Sequence, residues 1–290
     1  MTFPEIDPIL LRIGPLAIRW YALAYVAGIL LGWRYVAGLA RSPRLAPMRG
    51  PAATTPQIDD LILWLTLGII VGGRLGHVLF YTPSLIWTNP LEILQVWRGG
   101  MSFHGGAIGV FTAIVLFARG AGLDLFRLGD LIAAAAPIGL FFGRIANFVN
   151  GELWGRPTDL PWGMVFCNPQ IIETYGHCPA GLAPRHPSQL YEAALEGVVL
   201  FLILLFSVRK GMLDRRGVVA GVFLLGYGLI RIALETVREP DFGMPAFPTM
   251  GMMLSAPMVL AGAFLVWRGL REPLPATPVT VPAADVDEPA

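Results

Sequence analysis

One stretch of the chain, 142–156, places ionisable and amide side chains inside an otherwise apolar neighbourhood. Its polar members include Arg144, Asn147, Asn150 and Glu152. An ionisable side chain near the centre of a bilayer costs about 2.5 to 3.5 kcal/mol on insertion scales. We therefore expect a polar partner or ligand to meet these side chains.

A second group of polar side chains recurs at helical spacing in a later apolar segment. Tyr227, Arg231 and Glu235 lie at positions i, i+4 and i+8, so they share one face of a helix. The spacing predicts that Glu235 fixes the guanidinium of Arg231 while other donors of that arginine remain available. A buried ion pair that only joins helices is the structural alternative.

Two glycine-rich clusters add further candidates. In the first, 98–106, four glycines surround His104, which favours irregular backbone, close approach of a ligand and proton exchange near neutral pH. A polar anchor at the membrane interface is the alternative for this histidine. The second, 72–77, contains Arg74. Its structural alternative is a close helix crossing at the glycines, with Arg74 snorkelling to the outer surface.

Several arginines fall in, or just past, the predicted outer halves of three different apolar segments. They are Arg74, Arg144, Arg231 and Arg238. With few acids nearby in the sequence, such a set requires an anion, and guanidinium groups bind phosphate oxygens through paired, charge-assisted hydrogen bonds. The sequence thus predicts an outward-facing site for a lipid phosphate, with His104 and either Glu152 or Glu235 available for proton transfer.

Three classes of protein fit such a site: an enzyme that acts on phospholipid, a lipid flippase and a transporter of an anionic solute. Intramembrane charges mark transport paths as well as catalytic sites. Transport is less favoured because the clusters gather on one side and the sequence has no visible inverted repeat.

The composition indicates an integral membrane protein. Of the 290 residues, 55% are hydrophobic and 14% are charged, and the mean hydropathy is +0.62. An ordinary soluble domain has about 25% charged residues. The net charge of +1 gives no basic excess that would suggest nucleic acid as a partner. Glu5 and Asp7 interrupt the start of the chain, so we expect no cleavable signal peptide.

Seven segments are long and apolar enough to cross a hydrocarbon core about 30 Å thick, which takes about 20 residues of helix. They lie near 18–40, 58–80, 101–118, 128–149, 190–208, 218–237 and 249–267. A helix satisfies its own backbone hydrogen bonds in lipid, so the predicted fold class is all-α, a bundle of seven transmembrane helices.

Lysines and arginines concentrate in alternate connections, which predicts the orientation. The basic connections are those after the first, third, fifth and seventh segments. The N-terminus should then be periplasmic and the C-terminus cytoplasmic. We expect a catalytic domain over 1–271, with a small periplasmic cap at 150–189 that has no core of its own, and a disordered tail at 272–290.

The two cysteines, Cys167 and Cys178, lie in the predicted cap. The sequence is compatible with a disulfide between them and equally with two free thiols. A zinc site that adds His177 and His186 does not match a recognised spacing.

The motifs of this chain resemble those of the bacterial prolipoprotein diacylglyceryl transferase family over about residues 3–270. The stretch 143–156, GRIANFVNGELWGR, is similar to the family motif almost letter for letter, with Ala146 where a glycine is usual. The sequences Trp20-Tyr21, Met101-Ser-Phe-His104-Gly-Gly and Arg185-His-Pro-Ser-Gln-Leu-Tyr-Glu192 also agree, as does the pattern of Tyr227, Arg231 and Glu235.

The resemblance implies transfer of a diacylglyceryl group from phosphatidylglycerol to the lipobox cysteine of a preprolipoprotein, in the bacterial inner membrane with the active site toward the periplasm. It implies that Arg144 and Arg231 hold the lipid. It also implies that six further positions are important for activity: His104, Tyr21, Asn147, Glu152, Tyr227 and Glu235. No metal or organic cofactor is expected, and we expect a monomer.

The predicted mechanism follows from these parts. The substrate thiol attacks the glyceryl carbon that carries the phosphate ester, and arginines on the phosphate stabilise the charge that develops on the leaving group. His104 is the first choice of base for the thiol, with a glutamate or an arginine-lowered thiol pKa as alternatives. We place Arg144, Arg231, Asn147, His104 and Arg74 around the lipid. Glu152 and Arg156 should shape the outer mouth of the site, or only brace the cap.

Overall fold

The computed structural model describes residues 1–14, 16–96, 99–240 and 247–278. Arg98 of the first glycine-rich cluster and most of the predicted tail, 279–290, lie outside the described residues.

Helices occupy all seven predicted segments. They are α1 (Trp20–Ala40), α2 (Thr55–Tyr81), α4 (Phe103–Gly120), α5 (Leu125–Val149), a composite helix Ser188–Arg209, α9 (Val218–Leu234) and α10 (Met250–Arg271). Among the described residues, five of these are long and apolar enough to cross a membrane, whereas His104–Gly120 and Val218–Leu234 are shorter apolar helices. The chain is thus a mostly helical membrane protein, and the count of seven spans and the orientation stay predictions.

The composite helix Ser188–Arg209 has three parts. It begins as α7 (Ser188–Glu192), continues as a π-helix over Ala193–Val199 and ends as α8 (Leu200–Arg209). A π-helix has one extra residue in its hydrogen-bonded turn, is uncommon and is frequent at functional sites.

Short elements complete the chain, which is otherwise helical as predicted. Strands β1 (Ile9–Ile13) and β2 (Leu16–Arg19) form an antiparallel hairpin that leads directly into α1. Short helices α3 (Leu85–Thr88) and α6 (Pro169–Tyr175) lie in connections.

Helices α2 and α4 cross at glycines, which agrees with the structural alternative for the cluster 72–77. A Cβ atom on Gly76 would lie 2.6 Å from the Cα of Gly105, and Gly68 and Gly109 approach each other in the same way. Small residues let helix backbones come this close in lipid. The crossing fixes the first turn of α4, and with it His104, beside the C-terminal half of α2.

The main core surrounds α5. Leu128, Leu131 and Ala134 of α5 are buried and pack in one cluster with Leu200 and Leu204 of α8. Helix α5 also packs against α1, the π-helix and α9, so it is the element that brings the polar residues of several helices together.

The cap has a small core, which corrects the prediction that it has none. Phe166, Ile171 and Ala180 are buried together with Phe3 from the start of the chain. A disulfide joins Cys167 to Cys178, which settles the open question about these cysteines and removes their thiols as zinc ligands. The prediction failed because Phe3, far away in the sequence, supplies part of this core.

The first residue of the predicted tail is attached to the bundle. Glu272 forms an ion pair with Arg49, at 2.8 Å, and another with Arg216, at 3.3 Å. The Asp214 carboxylate nearby accepts hydrogen bonds from the backbone N–H groups of Met48 and Arg49. Glu272, the first residue of the predicted tail, thus contacts the bundle, and the start of the tail stays a prediction.

Candidate functional site

A buried charged cluster lies where α5, the composite helix and α9 meet. Its members are Arg144 from α5, Glu192 and Glu196 from the composite helix, and Arg231 with Glu235 from α9 and its C-terminal end. The side chains of Glu192 and Glu196 have no exposed surface, and those of Arg144 and Arg231 are 16% and 10% exposed. Charges at this depth are stable only when they are paired and hydrogen-bonded.

Glu192 bridges the two arginines. Its Oε2 atom lies 2.8 Å from Nε of Arg144, and its Oε1 atom lies 3.1 Å from Nη1 of Arg231. Both guanidinium groups therefore converge on one carboxylate, which brings an arginine of α5 and an arginine of α9 to the same point. The predicted convergence of Arg144 and Arg231 is confirmed.

Glu196 makes longer contacts with the same arginines. A single oxygen, Oε2, accepts from both Nε and Nη2 of Arg144 at 3.3 Å, and Oε1 lies 3.6 Å from Nη1 of Arg231. Glu196 thus lies along the Nε and Nη2 edge of Arg144, the edge that suits a two-oxygen acceptor.

The π-helix presents both carboxylates to the arginines. Glu192 immediately precedes it and Glu196 lies within it. Gly197 allows this segment to pack closely on α5, since a Cβ atom there would lie 2.7 Å from the Cβ of Phe141. The widened turn and the glycine together set the distance between these carboxylates and Arg144.

The expectation that these arginines lack nearby acids is wrong. Glu192 and Glu196 supply two carboxylates from the predicted apolar segment 190–208. A signal was present: two glutamates at i and i+4 inside an apolar segment are expensive in lipid, so they indicate a partner in the bundle.

The predicted pair of Arg231 and Glu235 is confirmed, with 2.7 Å between Nη2 and Oε1. Arg238 extends the pair, with its Nη1 atom 3.6 Å from the same oxygen of Glu235. Gly251 near the start of α10 leaves room for this carboxylate, since a Cβ atom at that glycine would meet the Glu235 side chain. Tyr227, one turn before Arg231, lies within electrostatic range of Glu196, Arg231 and Arg144.

A second polar group lies at the end of α5. The Glu152 Oε1 atom accepts hydrogen bonds from Nδ2 of Asn147 at 2.9 Å and from Nδ2 of Asn150 at 3.1 Å. The hydroxyl of Tyr21, at the start of α1, is within hydrogen-bonding reach of Asn147 and lies 3.5 Å from the hydroxyl of Tyr25. The structure therefore brings Tyr21, Asn147 and Glu152 together as one group.

The backbone after α5 ties this second group to the charged cluster. Gly151 and Leu153 both have left-handed backbone, with φ of 65° and 59°. The turn directs the carbonyl of Glu152 toward Nε2 of Gln189, at 2.6 Å, and the carbonyl of Leu153 toward Oγ of Ser188, at 3.0 Å. Since Ser188 and Gln189 begin the composite helix, the polar end of α5 is fastened to the helix that carries Glu192.

Arg156 contacts the backbone that follows α9. Its Nε atom donates to the carbonyl of Arg238 at 3.0 Å, and its backbone N–H donates to the carbonyl of Val237 at 2.8 Å. These contacts favour the bracing alternative for this residue. Nearby, the ring of His186 lies against Tyr191, and burial lowers the pKa of this histidine.

Arg74 donates four hydrogen bonds to backbone carbonyls. Its Nε atom donates to the carbonyl of Ile93, Nη1 to those of Gly99 and Gly100, and Nη2 to that of Glu92, at 2.6 to 3.2 Å. The residue is only 6% exposed, so the interpretation that it snorkels to the surface is wrong. Its guanidinium instead fastens the connection between α3 and α4.

His104 is the second residue of α4 and is exposed. Ser102 caps this helix by accepting a hydrogen bond from the backbone N–H of Gly105, and its own N–H donates to the carbonyl of Gly73 at 2.9 Å. The histidine is thus held at a capped helix start that is itself anchored to α2.

Comparisons with known proteins agree on one activity. The profile of the family described as prolipoprotein diacylglyceryl transferase matches residues 8–268. A protein of Phenylobacterium zucineum (strain HLK1) is 65% identical over 294 residues, which cover 100% of both chains. One of Caulobacter vibrioides (strain NA1000 / CB15N) is 60% identical over 292 residues, 94% of this chain and 97% of the relative. Both relatives are named phosphatidylglycerol–prolipoprotein diacylglyceryl transferase.

Proposed function

The chain belongs to the prolipoprotein diacylglyceryl transferase family, and on that premise we propose how its polar clusters carry out the reaction. The protein is a transferase that moves the diacylglyceryl group of phosphatidylglycerol to the lipobox cysteine thiol of a prolipoprotein and releases glycerol phosphate. This is the first step of lipoprotein lipidation.

The phosphate of the lipid binds at Arg144 and Arg231. The observation that supports this assignment is their shared contact with Glu192, at 2.8 and 3.1 Å, which places two guanidinium groups within reach of one small anion. A phosphate has several oxygens, so it can accept from both arginines at once. Side-chain exposures of 16% and 10% keep the two groups reachable but shielded from bulk solvent.

The arginines act most strongly on the transition state. The sulfur of the substrate cysteine forms a bond to the glyceryl carbon, the bond between that carbon and the phosphate ester oxygen breaks, and the electron pair leaves with the phosphate. The phosphate becomes more negative as the bond breaks, so positive charge fixed beside it lowers the barrier. Glu192 and Glu235 hold the guanidinium groups in place for this task.

His104 accepts the proton of the thiol, which must become a thiolate before it attacks. A histidine is suited to this exchange near neutral pH. Its position at the anchored first turn of α4 gives it a fixed backbone from which to reach the incoming peptide.

Tyr21, Asn147 and Glu152 form the mouth where the peptide cysteine arrives. Glu152 is held by two amide donors, so it offers a fixed negative charge and acceptor at the end of α5. Tyr227 lines the arginine site from α9. Arg74 braces the connection before α4, since four of its five donors bond to backbone carbonyls.

We place the protein in the bacterial inner membrane as a monomer with seven spans, the cap in the periplasm and the basic connections in the cytoplasm. In this orientation both polar groups open toward the outer leaflet, where phosphatidylglycerol and the translocated peptide meet. The reaction as written moves no electrons to an acceptor and requires no metal or organic cofactor.

The decisive experiment mixes purified protein with phosphatidylglycerol and a lipobox peptide in detergent. Mass spectrometry should detect one diacylglyceryl group on the peptide cysteine. Arg144→Ala or Arg231→Ala should abolish the product while the protein still folds, and His104→Gln should strongly reduce it. Absence of product from folded wild-type protein would refute the activity, and full activity of both arginine variants would refute the site.

A further inference from the structure

Two glutamates one turn apart contact the same arginine at different distances. Glu192 approaches Arg144 to 2.8 Å and also approaches Arg231 to 3.1 Å. Glu196 stays at 3.3 Å from Arg144 and 3.6 Å from Arg231. Glu192 therefore bridges the two arginines, whereas Glu196 is the hydrogen-bond acceptor of Arg144 through Oε2 alone, and its buried Oε1 atom has no hydrogen-bond partner among the described residues.

We propose that Glu196 occupies the phosphate position on Arg144 before the lipid binds, and that it shifts to Arg231 when the lipid phosphate arrives. The proposal rests on the proposed phosphate site at Arg144 and Arg231. Glu196 acts through Arg144, so it is a positioning residue that sets the affinity of the site for phosphate.

The contact geometry supports an exchange. One oxygen of Glu196 accepts from both Nε and Nη2 of Arg144, so it covers an edge of the guanidinium that a phosphate would cover with two oxygens. The other oxygen already lies 3.6 Å from Nη1 of Arg231. A small rotation of the carboxylate would strengthen that second contact and free the edge of Arg144.

The balance of charge also favours an exchange. The cluster sets Arg144, Arg231 and Arg238 against three glutamates, Glu192, Glu196 and Glu235. An added phosphate that left every existing pair in place would bring a negative charge beside two carboxylates that have no exposed surface. Like charges in a poorly solvated site repel strongly. The pair of Arg144 with Glu196 is the one that can open, because only one oxygen of this carboxylate is hydrogen-bonded to Arg144 and the other already lies 3.6 Å from Arg231.

Competition between Glu196 and phosphate for Arg144 affects how fast the product leaves. The phosphate carries more negative charge after the carbon–oxygen bond breaks, so the arginines hold the product more tightly than the lipid. When Glu196 returns to Arg144 it displaces the product phosphate and speeds its release. Loss of the carboxylate should therefore tighten binding of both lipid and product and slow the catalytic cycle.

Glu196→Gln and Glu192→Gln form a matched pair for the test, since both remove a buried carboxylate from the same helix. The first measurement is the thermal unfolding midpoint in detergent as a function of sn-glycerol phosphate concentration. The concentration that gives half of the stabilisation should be about tenfold lower for Glu196→Gln than for wild type, which is the loss of one modest competing interaction. Glu192→Gln should instead lower the midpoint and weaken the response to glycerol phosphate.

The second measurement is transfer to the lipobox peptide. Glu196→Gln should lower both KM for phosphatidylglycerol and kcat, a combination that a merely structural defect does not produce. Glu196→Asp, whose shorter side chain keeps the charge, is the variant to use if the glutamine variant does not fold, and it should also bind glycerol phosphate more tightly than wild type.

Unchanged or weaker binding of glycerol phosphate by the folded Glu196 variants would refute the proposal that Glu196 exchanges with phosphate on Arg144. Failure of the proposed function is recognised separately, since wild-type protein would then give no lipidated peptide, whatever the effect of Glu196 on the unfolding midpoint.

Discussion

Arg231 and Glu235, one turn apart at the end of α9, form a buried ion pair with 2.7 Å between Nη2 and Oε1. The pair occupies one terminal nitrogen of the guanidinium and leaves Nη1 beside Glu192, at 3.1 Å. A side chain held at two points keeps its plane fixed, so the arginine meets a bound anion without losing further conformational freedom.

Glu235→Ala should therefore reduce both stability and transfer. Removal of one partner of a buried pair leaves an uncompensated charge and costs about 3 kcal/mol or more. The unfolding midpoint in detergent should fall and kcat for peptide lipidation should drop at least tenfold. Glu173→Ala is the control, since the Glu173 side chain is exposed on helix α6, and this variant should behave as wild type. Wild-type kcat in the Glu235 variant would exclude a role for this pair in catalysis.

Arg144→Lys keeps the charge of the phosphate site but removes its planar fork. Lysine cannot present Nε and Nη2 to Glu192 and Glu196 in the arrangement that Arg144 uses. We expect transfer to fall about 100-fold, the usual cost of losing one donor at a developing negative charge. Initial rates over a range of phosphatidylglycerol concentrations give the measurement. Arg209→Lys at the exposed end of α8 is the control, and equal rates for both variants would mean that charge alone suffices at position 144.

Asn147→Asp should disturb the mouth of the site by repulsion. The change replaces the Nδ2 donor, 2.9 Å from Oε1 of Glu152, with a second carboxylate. Two facing carboxylates disfavour each other's ionised form, so transfer should be low at neutral pH and should approach the wild-type rate at the same pH as the pH is lowered and one group takes up a proton. A pH series of initial rates tests this, with Asn89→Asp on an exposed connection as the control. A pH profile identical to that of wild type would rule out this contact as part of the mouth.

Much of this arrangement could be predicted from the sequence. The seven helical segments follow from apolar length, the crossing of α2 and α4 from its glycines, and the pair of Arg231 and Glu235 from i, i+4 spacing. Each of these depends on local spacing, which the sequence displays directly.

The features that the sequence did not predict depend on long-range contacts. The carboxylates that face Arg144 come from a helix 48 and 52 residues further along, and a π-helix sets their direction. The sequence predicts Arg74 as a ligand of the lipid phosphate, whereas in the structure its guanidinium donates to carbonyls of a later connection. Phe3 likewise joins the core of a cap that begins far beyond it. Residue type alone cannot identify which distant partner reaches a given side chain.

The disulfide between Cys167 and Cys178 should stabilise the cap without taking part in the chemistry. The two cysteines are 11 residues apart, and a disulfide that closes a short loop contributes about 2 to 4 kcal/mol. Cys167→Ser with Cys178→Ser should lower the unfolding midpoint, and the same shift should follow reduction of the wild-type protein. Transfer measured well below the new midpoint should stay within about twofold of wild type. A complete loss of activity in the folded double variant would instead place the disulfide in the mechanism.

Arg74→Lys separates a bracing role from contact with the lipid. The arginine fastens the connection before α4 through hydrogen bonds to the carbonyls of Glu92, Ile93, Gly99 and Gly100, and a lysine can satisfy only part of this set. We expect a lower unfolding midpoint, faster proteolysis of the connection and a lower kcat, because the first turn of α4 loses its support. KM for phosphatidylglycerol and the affinity for glycerol phosphate should not change. A several-fold rise in that KM, with stability unaltered, would instead assign Arg74 to the lipid phosphate.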